Sequence, residues 1–206
     1  MVMTTIDWIR HGQTHANVAG VIQGQLDTDV ATLTATGQQQ AQQRYQHLDL
    51  TAYDRVIVSP LRRTRQTAAI LTAGYAGAVT TDERLMEAAY GQWTGEKTAD
   101  LLARYPAAFD PVTREVQPAW LPRIGGESYL AVQRRLGQLL AELVVDHPTD
   151  HVLLISHGLT IKNAALLMLA APATLALPEP TNLSLTRTLI DPATGHRYLQ
   201  CYGAPV

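Results

Sequence analysis

The sequence is poor in cysteine and in charged residues, and it has no long apolar run. Its 206 residues include one cysteine, Cys201, so neither an internal disulfide bond nor a paired-cysteine zinc site is expected. Charged residues make up 17% and the net charge is -2, so no basic field favours nucleic acid. The most apolar stretch, 164–177, is too short to span a bilayer, and the first residues show no secretion signal. We expect a cytoplasmic protein that binds neither nucleic acid nor a membrane.

What is present is a hydrophobic fraction of 46%, which is enough for the core of one domain, 1–206. Short apolar runs predict buried strands at 6–9, 56–58 and 152–155. Helix-like segments alternate with them at 35–48, 63–73, 128–146 and 159–171. This alternation predicts an α/β fold in three layers, with a mostly parallel sheet flanked by helices. Residues 183–190 and 197–202 flank a turn and predict an antiparallel hairpin, which would make the sheet mixed.

The segment between the second and third predicted strands contains a stretch of different composition. Residues 91–128 carry four prolines and the pair Gly125-Gly126, with one short helical pattern near 97–105. We predict a small, partly helical lid insertion at about 92–127. Trp93 and Trp120 fall in this segment and are expected to pack against other side chains.

Each of the three predicted strands is followed at once by a polar cluster. The clusters are Arg10-His11-Gly12-Gln13-Thr14, Ser59-Pro60-Leu61-Arg62-Arg63 and Ser156-His157-Gly158. Ligands of open α/β sheets bind beyond the carboxyl ends of the strands, so these histidines and arginines should share one crevice. Such a cluster of cations needs an anion, and the planar guanidinium matches phosphate oxygens. We predict a phosphate site, to which the helix after Gly158 would add backbone N–H groups.

Together with further motifs in the same order, these clusters resemble the histidine phosphatase superfamily, also called the phosphoglycerate mutase-like family. The further motifs are Thr14 with Asn17, Leu33-Thr34-x-x-Gly37-x-x-Gln40-Ala41, Arg84-Leu85-x-Glu87 with Tyr90-Gly91, and Gly125-Gly126-Glu127-Ser128. The resemblance covers nearly the whole chain. The departures from the family pattern are a longer loop at 27–33, Thr94-Gly95 where Glu-Gly is usual, and Thr64 where alanine is frequent.

The resemblance implies a role for each residue of the predicted crevice. His11 would be the nucleophile and become a phosphohistidine, with a backbone carbonyl fixing its tautomer. Arg10, Arg63 and a cationic His157 would hold the phosphoryl oxygens. Glu87 would be the proton donor. The same resemblance implies substrate contacts at Asn17, Gln23, Gly24 and Gly158. It implies neither a metal nor another cofactor.

Two of these assignments have competitors in the sequence. Arg62 and Arg65 flank Arg63, and a basic helix start is ordinarily a solvated face. Glu83 and Glu127 are alternative carboxylates to Glu87, and an exposed glutamate at any of these positions is usually only solvated.

Five other histidines have no assigned role. His15 stands four residues after His11, but the glutamate of a zincin motif is missing and Gly12 favours a turn, so we predict a loop residue. The remaining four are predicted to be solvated at the surface: His47, His147, His151 and His196.

The leading functional hypothesis is a metal-independent phosphatase, a phosphoric monoester hydrolase, acting on a small phosphorylated metabolite as monomer or homodimer. One alternative is a phosphoglycerate mutase, which returns the phosphoryl group to a second hydroxyl and needs a closed, dry site. Another is a phosphate-binding regulatory protein with little turnover, although both His11 and Glu87 are present. A metal hydrolase has no recognisable ligand set in this sequence.

Overall fold

The structure is a computed structural model that describes residues 3–205. Its strands are β1 (Thr4–Arg10), β2 (Arg55–Val58), β3 (Val79–Thr81), β4 (His151–Ser156), β5 (Leu185–Ile190) and β6 (Arg197–Ala204). Its α-helices are α1 (His15–Ala19), α2 (Ala35–Gln46), α3 (Arg62–Leu71), α4 (Thr98–Arg104), α5 (Tyr129–Asp146) and α6 (Gly158–Met168).

The six strands form one mixed sheet in the order β3-β2-β4-β1-β5-β6. The first four strands of that order are parallel to one another, and β5 pairs antiparallel with β1 on one side and with β6 on the other. This confirms the predicted α/β fold. Within the register, Arg10 pairs with Ser156 and Val58 pairs with Ile155. The carboxyl ends of β1, β2 and β4 therefore meet at one edge, where the three polar clusters emerge.

Side chains of the central strands alternate between two hydrophobic clusters, one on each face of the sheet. Ile6 and Trp8 of β1 belong to one cluster, and Ile9 belongs to the other. The first cluster includes buried side chains of α5 and α6, and the second includes those of α2 and α3. Successive side chains of a strand point to opposite faces, so a continuous apolar run buries residues on both faces of the sheet. The sheet with helices packed on each face forms the three layers.

The predicted helices and strands are present, with ends shifted by up to three residues. Two elements were missed. All three residues of β3 are exposed at the sheet edge, so no buried pattern marks this strand. The helix α1 begins at His15, which corrects the prediction that His15 lies in a loop. Thr14 caps this helix: its side chain accepts from the backbone N–H of Asn17, and the Asn17 side chain accepts from the Thr14 N–H.

The apolar helix α6 lies inside the molecule. Most of its residues are buried, including Ala164 and Ala165, so its small side chains pack within this chain. Within residues 3–205, no helix combines the length and the apolar character needed to cross a membrane.

Residues 92–127, the lid segment, contain α4 and several short 3-10 turns. Its packing centres on Trp93, which stacks on Phe109 with ring centroids 5.6 Å apart and on Trp120 at 6.1 Å. Trp93 is buried, and Phe109 belongs to the same hydrophobic cluster as β1. The aromatic stack therefore holds the lid segment against the core, as expected for packing residues.

Candidate active site

The three polar clusters meet beyond the ends of β1, β2 and β4. The His11 and His157 rings lie edge to face with centroids 5.3 Å apart, and Arg63 donates from Nε to His157 Nδ1 at 3.2 Å. All three side chains are buried. The close packing of these elements requires small residues: a Cβ on Gly12 would lie 2.6 Å from the carbonyl oxygen of Gly37, at the start of α2.

The geometry of His11 fixes its tautomer. Nδ1 lies 2.8 Å from the carbonyl oxygen of Gly12, and a carbonyl only accepts, so Nδ1 carries the proton. Nε2 then holds a lone pair. Burial lowers the pKa of His11 well below its usual value, and the nearby Arg63 and Arg10 lower it further. His11 is therefore a neutral imidazole at physiological pH, the state in which it can act as a nucleophile.

The guanidinium of Arg10 lies beside His11, and two of its three nitrogens contact other residues of the protein. Nη1 donates to the carbonyl of Pro180 at 2.7 Å, and Nη2 lies 3.5 Å from Oε2 of Glu179. Nε is buried, and it has no hydrogen-bond partner among the described residues. A buried N–H without a partner is costly, so this donor fits an anionic ligand that supplies an oxygen.

Arg63 is held from three sides. Besides its bond to His157, it donates to the carbonyl oxygens of Leu26 at 3.0 Å and Gly24 at 2.7 Å. Its competitors lie elsewhere, because Arg62 is exposed and pairs with Asp29, and Arg65 is exposed. The structure thus places Arg63, and neither neighbour, in the crevice.

His157 is neutral, which corrects the expectation of a cationic side chain. A guanidinium only donates, so His157 Nδ1 accepts from Arg63, and Nε2 carries the proton and donates to Ser59 Oγ at 2.7 Å. Burial lowers its pKa well below the usual value, with further lowering by Arg63, His11 and Arg10. His157 lies behind Arg63 and His11, fully buried.

Glu87 occupies the N-terminus of α6. Its carboxylate accepts from the backbone N–H groups of Leu159 at 3.2 Å and Thr160 at 3.1 Å, from the Thr160 hydroxyl and from the N–H of Ala88. This corrects a second expectation, because these two N–H groups of the helix bind Glu87 and are not left for phosphate. Gly158, the first residue of α6, lies against the Arg10 guanidinium.

The other candidate carboxylates are outside this crevice. Glu83 is exposed, and Glu127 forms an ion pair with Arg135 at 2.9 Å. Glu87, in contrast, lines the same cavity as His11 and Arg10.

Asn17, Gln23 and Gly24 line the cavity as well. The side-chain oxygens of Asn17 and Gln23 both lie 3.0 Å from the hydroxyl of Thr14. With the oxygens committed in this way, the two amide NH₂ groups are the donors that remain. Gly24 contributes its carbonyl to Arg63 in addition to its place at the cavity wall.

The cavity has a volume of about 610 Å³, within the range of small-molecule sites. Its inner wall carries Arg10, His11, Arg63 and Glu87, and its outer wall comes largely from the lid segment: Thr98, Phe109, Val112, Thr113, Arg114, Glu115 and Val116. A small ligand would contact the charged inner wall through one end and the lid segment through the other.

Several residues of the site were missed by sequence reasoning. Ser59 and Thr67 are buried hydroxyls: Ser59 binds His157, and Thr67 accepts from the N–H of Gly12. Ser59 belongs to the second polar cluster, which was a usable signal. Glu179 lies in the loop between α6 and β5, where no motif or periodicity marked it.

None of the remaining histidines lines the cavity, and one of them corrects a prediction. His151, expected to be solvated, is only partly exposed: Nε2 lies 3.1 Å from the buried carboxylate of Asp7, and the ring packs on Tyr53 at 4.5 Å. His15 is exposed on α1. Among residues 3–205, no three side chains of His, Cys, Asp or Glu are grouped so that they could hold a metal ion.

Comparison with known proteins identifies the class. The chain matches the histidine phosphatase superfamily (branch 1) over residues 6–201. It is 35% identical over 189 residues to a glucosyl-3-phosphoglycerate phosphatase of Mycobacterium tuberculosis, covering 87% of this chain and 82% of the relative. It is 32% identical to the "Probable phosphoglycerate mutase GpmB" of Proteus mirabilis, covering 83% and 77%. The structure of mycobacterial glucosyl-3-phosphoglycerate phosphatase with VO3 superposes with a TM-score of 0.83 at 32% identity, covering 98% and 99% of the two chains.

The chain therefore belongs to the histidine phosphatase superfamily, branch 1. This confirms the predicted family and enzyme class, phosphoric monoester hydrolase of the histidine phosphatase type. The comparisons include both phosphatases and a mutase-like protein.

Proposed function

We propose that this protein hydrolyses small phosphomonoesters without a metal, through a phosphohistidine formed on His11. The observation that carries the proposal is the Nδ1 contact of His11 with the Gly12 carbonyl, which leaves a neutral Nε2 beside Arg10 and Arg63. A neutral imidazole next to two guanidinium groups is an arrangement for nucleophilic attack on an anionic phosphorus centre.

The reaction divides into two balanced steps. First, Nε2 of His11 attacks phosphorus, the P–N bond forms and the P–O bond to the alcohol breaks. Glu87 is our candidate for giving a proton to the leaving oxygen, because its carboxyl group lines the same cavity as His11 and Arg10. Second, water attacks phosphorus, Glu87 takes the water proton, and the P–N bond breaks to release phosphate and neutral His11.

Each remaining polar group stabilises charge in this scheme. Arg10 and Arg63 bind the phosphoryl oxygens, where negative charge spreads during transfer. Asn17 and Gln23 add neutral donors through their free amide groups. His157 orients Arg63 and packs on His11, so it acts through those two residues, and Gly158 lets Arg10 approach the start of α6.

The substrate is expected to be a small phosphorylated metabolite, such as a phosphoglycerate, its glycosylated form or a sugar phosphate. Support comes from the cavity size and from the glucosyl-3-phosphoglycerate phosphatase relative. We place the protein in the cytoplasm as a monomer or homodimer, acting on neither nucleic acid nor membranes, in keeping with one cysteine and a net charge of -2.

The test uses a generic aryl phosphate in the presence of EDTA, with rapid quench and mass spectrometry to trap the adduct. The wild type should release phosphate and carry an acid-labile phosphoryl group on His11, and His11→Ala should do neither. His15→Ala is the matched control, because His15 is an exposed histidine four residues away, and it should behave as wild type.

Two other results have defined meanings. Isomerisation of a phosphoglycerate with little net phosphate release would favour the mutase. The similarity to the probable phosphoglycerate mutase of Proteus mirabilis supports this alternative. No turnover and no adduct with a broad panel of esters would refute the proposal and leave a phosphate-binding protein.

A further inference from the structure

Glu179 brings a second carboxyl group to the phosphate side of the cavity. Its Oε2 lies 3.5 Å from Nη2 of Arg10, and a Cβ on Gly158 would collide with it. Its backbone N–H donates to Oε1 of Glu115 in the lid segment at 2.7 Å. Glu179 thus lies where the phosphate-binding arginine meets the lid segment.

The two carboxyl groups of the inner cavity have opposite surroundings. The Glu87 carboxyl accepts hydrogen bonds from three backbone N–H groups, those of Ala88, Leu159 and Thr160. The Glu179 carboxyl receives no hydrogen bond from any residue in the described range 3–205, and within that range the cation in direct contact with it is the guanidinium of Arg10. A phosphate ester bound to Arg10 would engage the same guanidinium.

We propose that Glu179 is a proton-accepting residue of the phosphate site, so that binding of a dianionic phosphate ester is coupled to uptake of one proton by its carboxyl group. This rests on the proposed function, because it takes Arg10 as a phosphate ligand. The bound dianion replaces the Glu179 carboxylate as the partner of Arg10. The carboxylate then faces an uncompensated negative charge, and protonation relieves the repulsion.

The surroundings of Glu179 favour this proton. Burial raises its pKa, the charges of Arg10 and Lys162 oppose this, and Glu87 and Glu115 raise it further, to a value of about 7. The groups that face it are Arg10 of β1, Glu87, Glu115 of the lid segment, Lys162 of α6, and the phenols of Tyr90, Tyr129 and Tyr202. A dianion at Arg10 adds to the negative charge on this side and raises the proton affinity again.

The coupling balances over one turnover. One proton enters from solvent onto Glu179 when the ester binds, and it returns to solvent when phosphate leaves. The protonated carboxyl can donate a hydrogen bond to a phosphoryl oxygen, which the carboxylate cannot do. Above neutral pH, phosphate esters should bind more weakly, because binding takes up a proton and the proton concentration in solution falls as pH rises.

Sulfate is the probe for this coupling, because it is a tetrahedral dianion that does not titrate between about pH 6 and about pH 9. Calorimetry in buffers of different ionisation enthalpy counts the protons taken up on binding. The wild type should take up close to one proton at about pH 8, and its affinity should fall about tenfold for each pH unit above that value.

Glu179→Gln removes the titration and keeps the size and the hydrogen-bond donor. This variant should bind sulfate with little pH dependence, and at about pH 8 it should bind about tenfold more tightly than the wild type. Glu83→Gln is the matched control, because Glu83 is exposed and lies outside the cavity lining, and it should behave as wild type.

Three results would overturn the inference. Sulfate binding by the wild type without proton uptake would do so and would leave the phosphate site intact. Uptake that persists unchanged in Glu179→Gln would assign the proton to another group, with His157 as the candidate. Binding of sulfate by neither protein would remove the phosphate site, and the aryl phosphate assay would then show separately whether the proposed function also fails.

Discussion

Arg63 and His157 form a directional hydrogen bond: Nε of Arg63 donates to Nδ1 of His157 across 3.2 Å. The bond joins the start of α3 to the end of β4, so the sheet register and the placement of α3 together set the position of the guanidinium. A guanidinium can only donate, so Nδ1 of His157 must be an unprotonated acceptor. The imidazole of His157 is therefore neutral. Both residues are buried, so neither has water as an alternative partner.

Arg63→Lys should lower kcat/KM for an aryl phosphate by about 10²- to 10³-fold. Lysine keeps the charge, but it cannot reproduce the planar fork that binds His157 and the carbonyls of Gly24 and Leu26 at once. Steady-state kinetics measures the effect. Arg62→Lys is the matched control and should stay within about twofold of wild type, since Arg62 is exposed and its surface ion pair contributes little. Equal losses in both variants would contradict the special role of Arg63.

The buried histidines should make stability depend on pH. Below about pH 6.5 the unfolded chain protonates His157, whereas the folded protein keeps it neutral, so stability is lost as pH falls. His11 acts in the same direction, and the raised pKa of Glu179 acts in the opposite one. The contribution of His157 alone is therefore measured as the difference in the free energy of unfolding between wild type and His157→Gln.

This difference in the free energy of unfolding should shift by about 1.4 kcal/mol for each pH unit below about 6.5, with the wild type losing more. Urea denaturation at several pH values between about 5 and about 8 measures it. A difference that stays constant over this range would show that His157 binds its proton equally well in the folded and the unfolded protein, which would contradict a neutral His157.

The main features of the site could be predicted because they sit at strand ends. Arg10, His11 and His157 follow apolar runs directly, and parallel strands bring such positions together whatever the loops do. The strand β3 could not be predicted in this way, because its three residues are exposed and carry no apolar pattern. Burial on both faces is the signal that sequence reasoning detects, and an edge strand lacks it.

Roles that depend on three-dimensional competition were harder to predict. The start of α6 was expected to bind phosphate. Instead, the backbone N–H groups of Leu159 and Thr160 donate to the carboxyl group of Glu87, which is distant in the sequence. The charge of His157 depends on which of its nitrogens Arg63 reaches, and this is a matter of geometry within about one ångström. Glu179 is visible only once the loop after α6 folds back on Arg10.

Gly158→Ala should lower kcat/KM by about 10- to 100-fold. The added methyl group displaces the side chains that bind phosphate, and a displacement of about 1 Å is costly in rate. The new Cβ would lie 2.9 Å from Cζ of Arg10 and would collide with the Glu179 carboxyl, so one of them must move. Adding Glu179→Ala should restore part of the activity by making room. Kinetics of the two single variants and the double variant gives the interaction between the sites.

The matched control for that substitution is Gly137→Ala in α5. Its Cβ would meet only Cδ2 of Leu167, at 4.0 Å, so no strain is expected. Alanine is the better helix former, and the variant should be up to about 1 kcal/mol more stable with unchanged activity. If Gly158→Ala were fully active, the close approach of Arg10 to α6 would be unimportant for phosphate binding.

Lys162 and Glu115 should control how firmly the lid segment is closed. Lys162 is fully buried in α6, and its ammonium group pairs with the carboxylate of Glu115. Lys162→Met leaves that carboxylate without its cationic partner and removes the ion pair between the lid segment and α6. We expect trypsin to cleave after Arg114, an exposed residue one position away, at least about tenfold faster than in wild type.

Lys97→Met tests whether the effect belongs to the ion pair, because Lys97 is also a lysine but is exposed and lies within the lid segment. This variant should be cleaved after Arg114 at the wild-type rate. Peptide mapping identifies the cleavage site, and the rate reports the population of the opened segment when opening and closing are fast. The same rate for Lys162→Met and Lys97→Met would mean that the aromatic stack around Trp93, and not the ion pair, holds the lid segment closed.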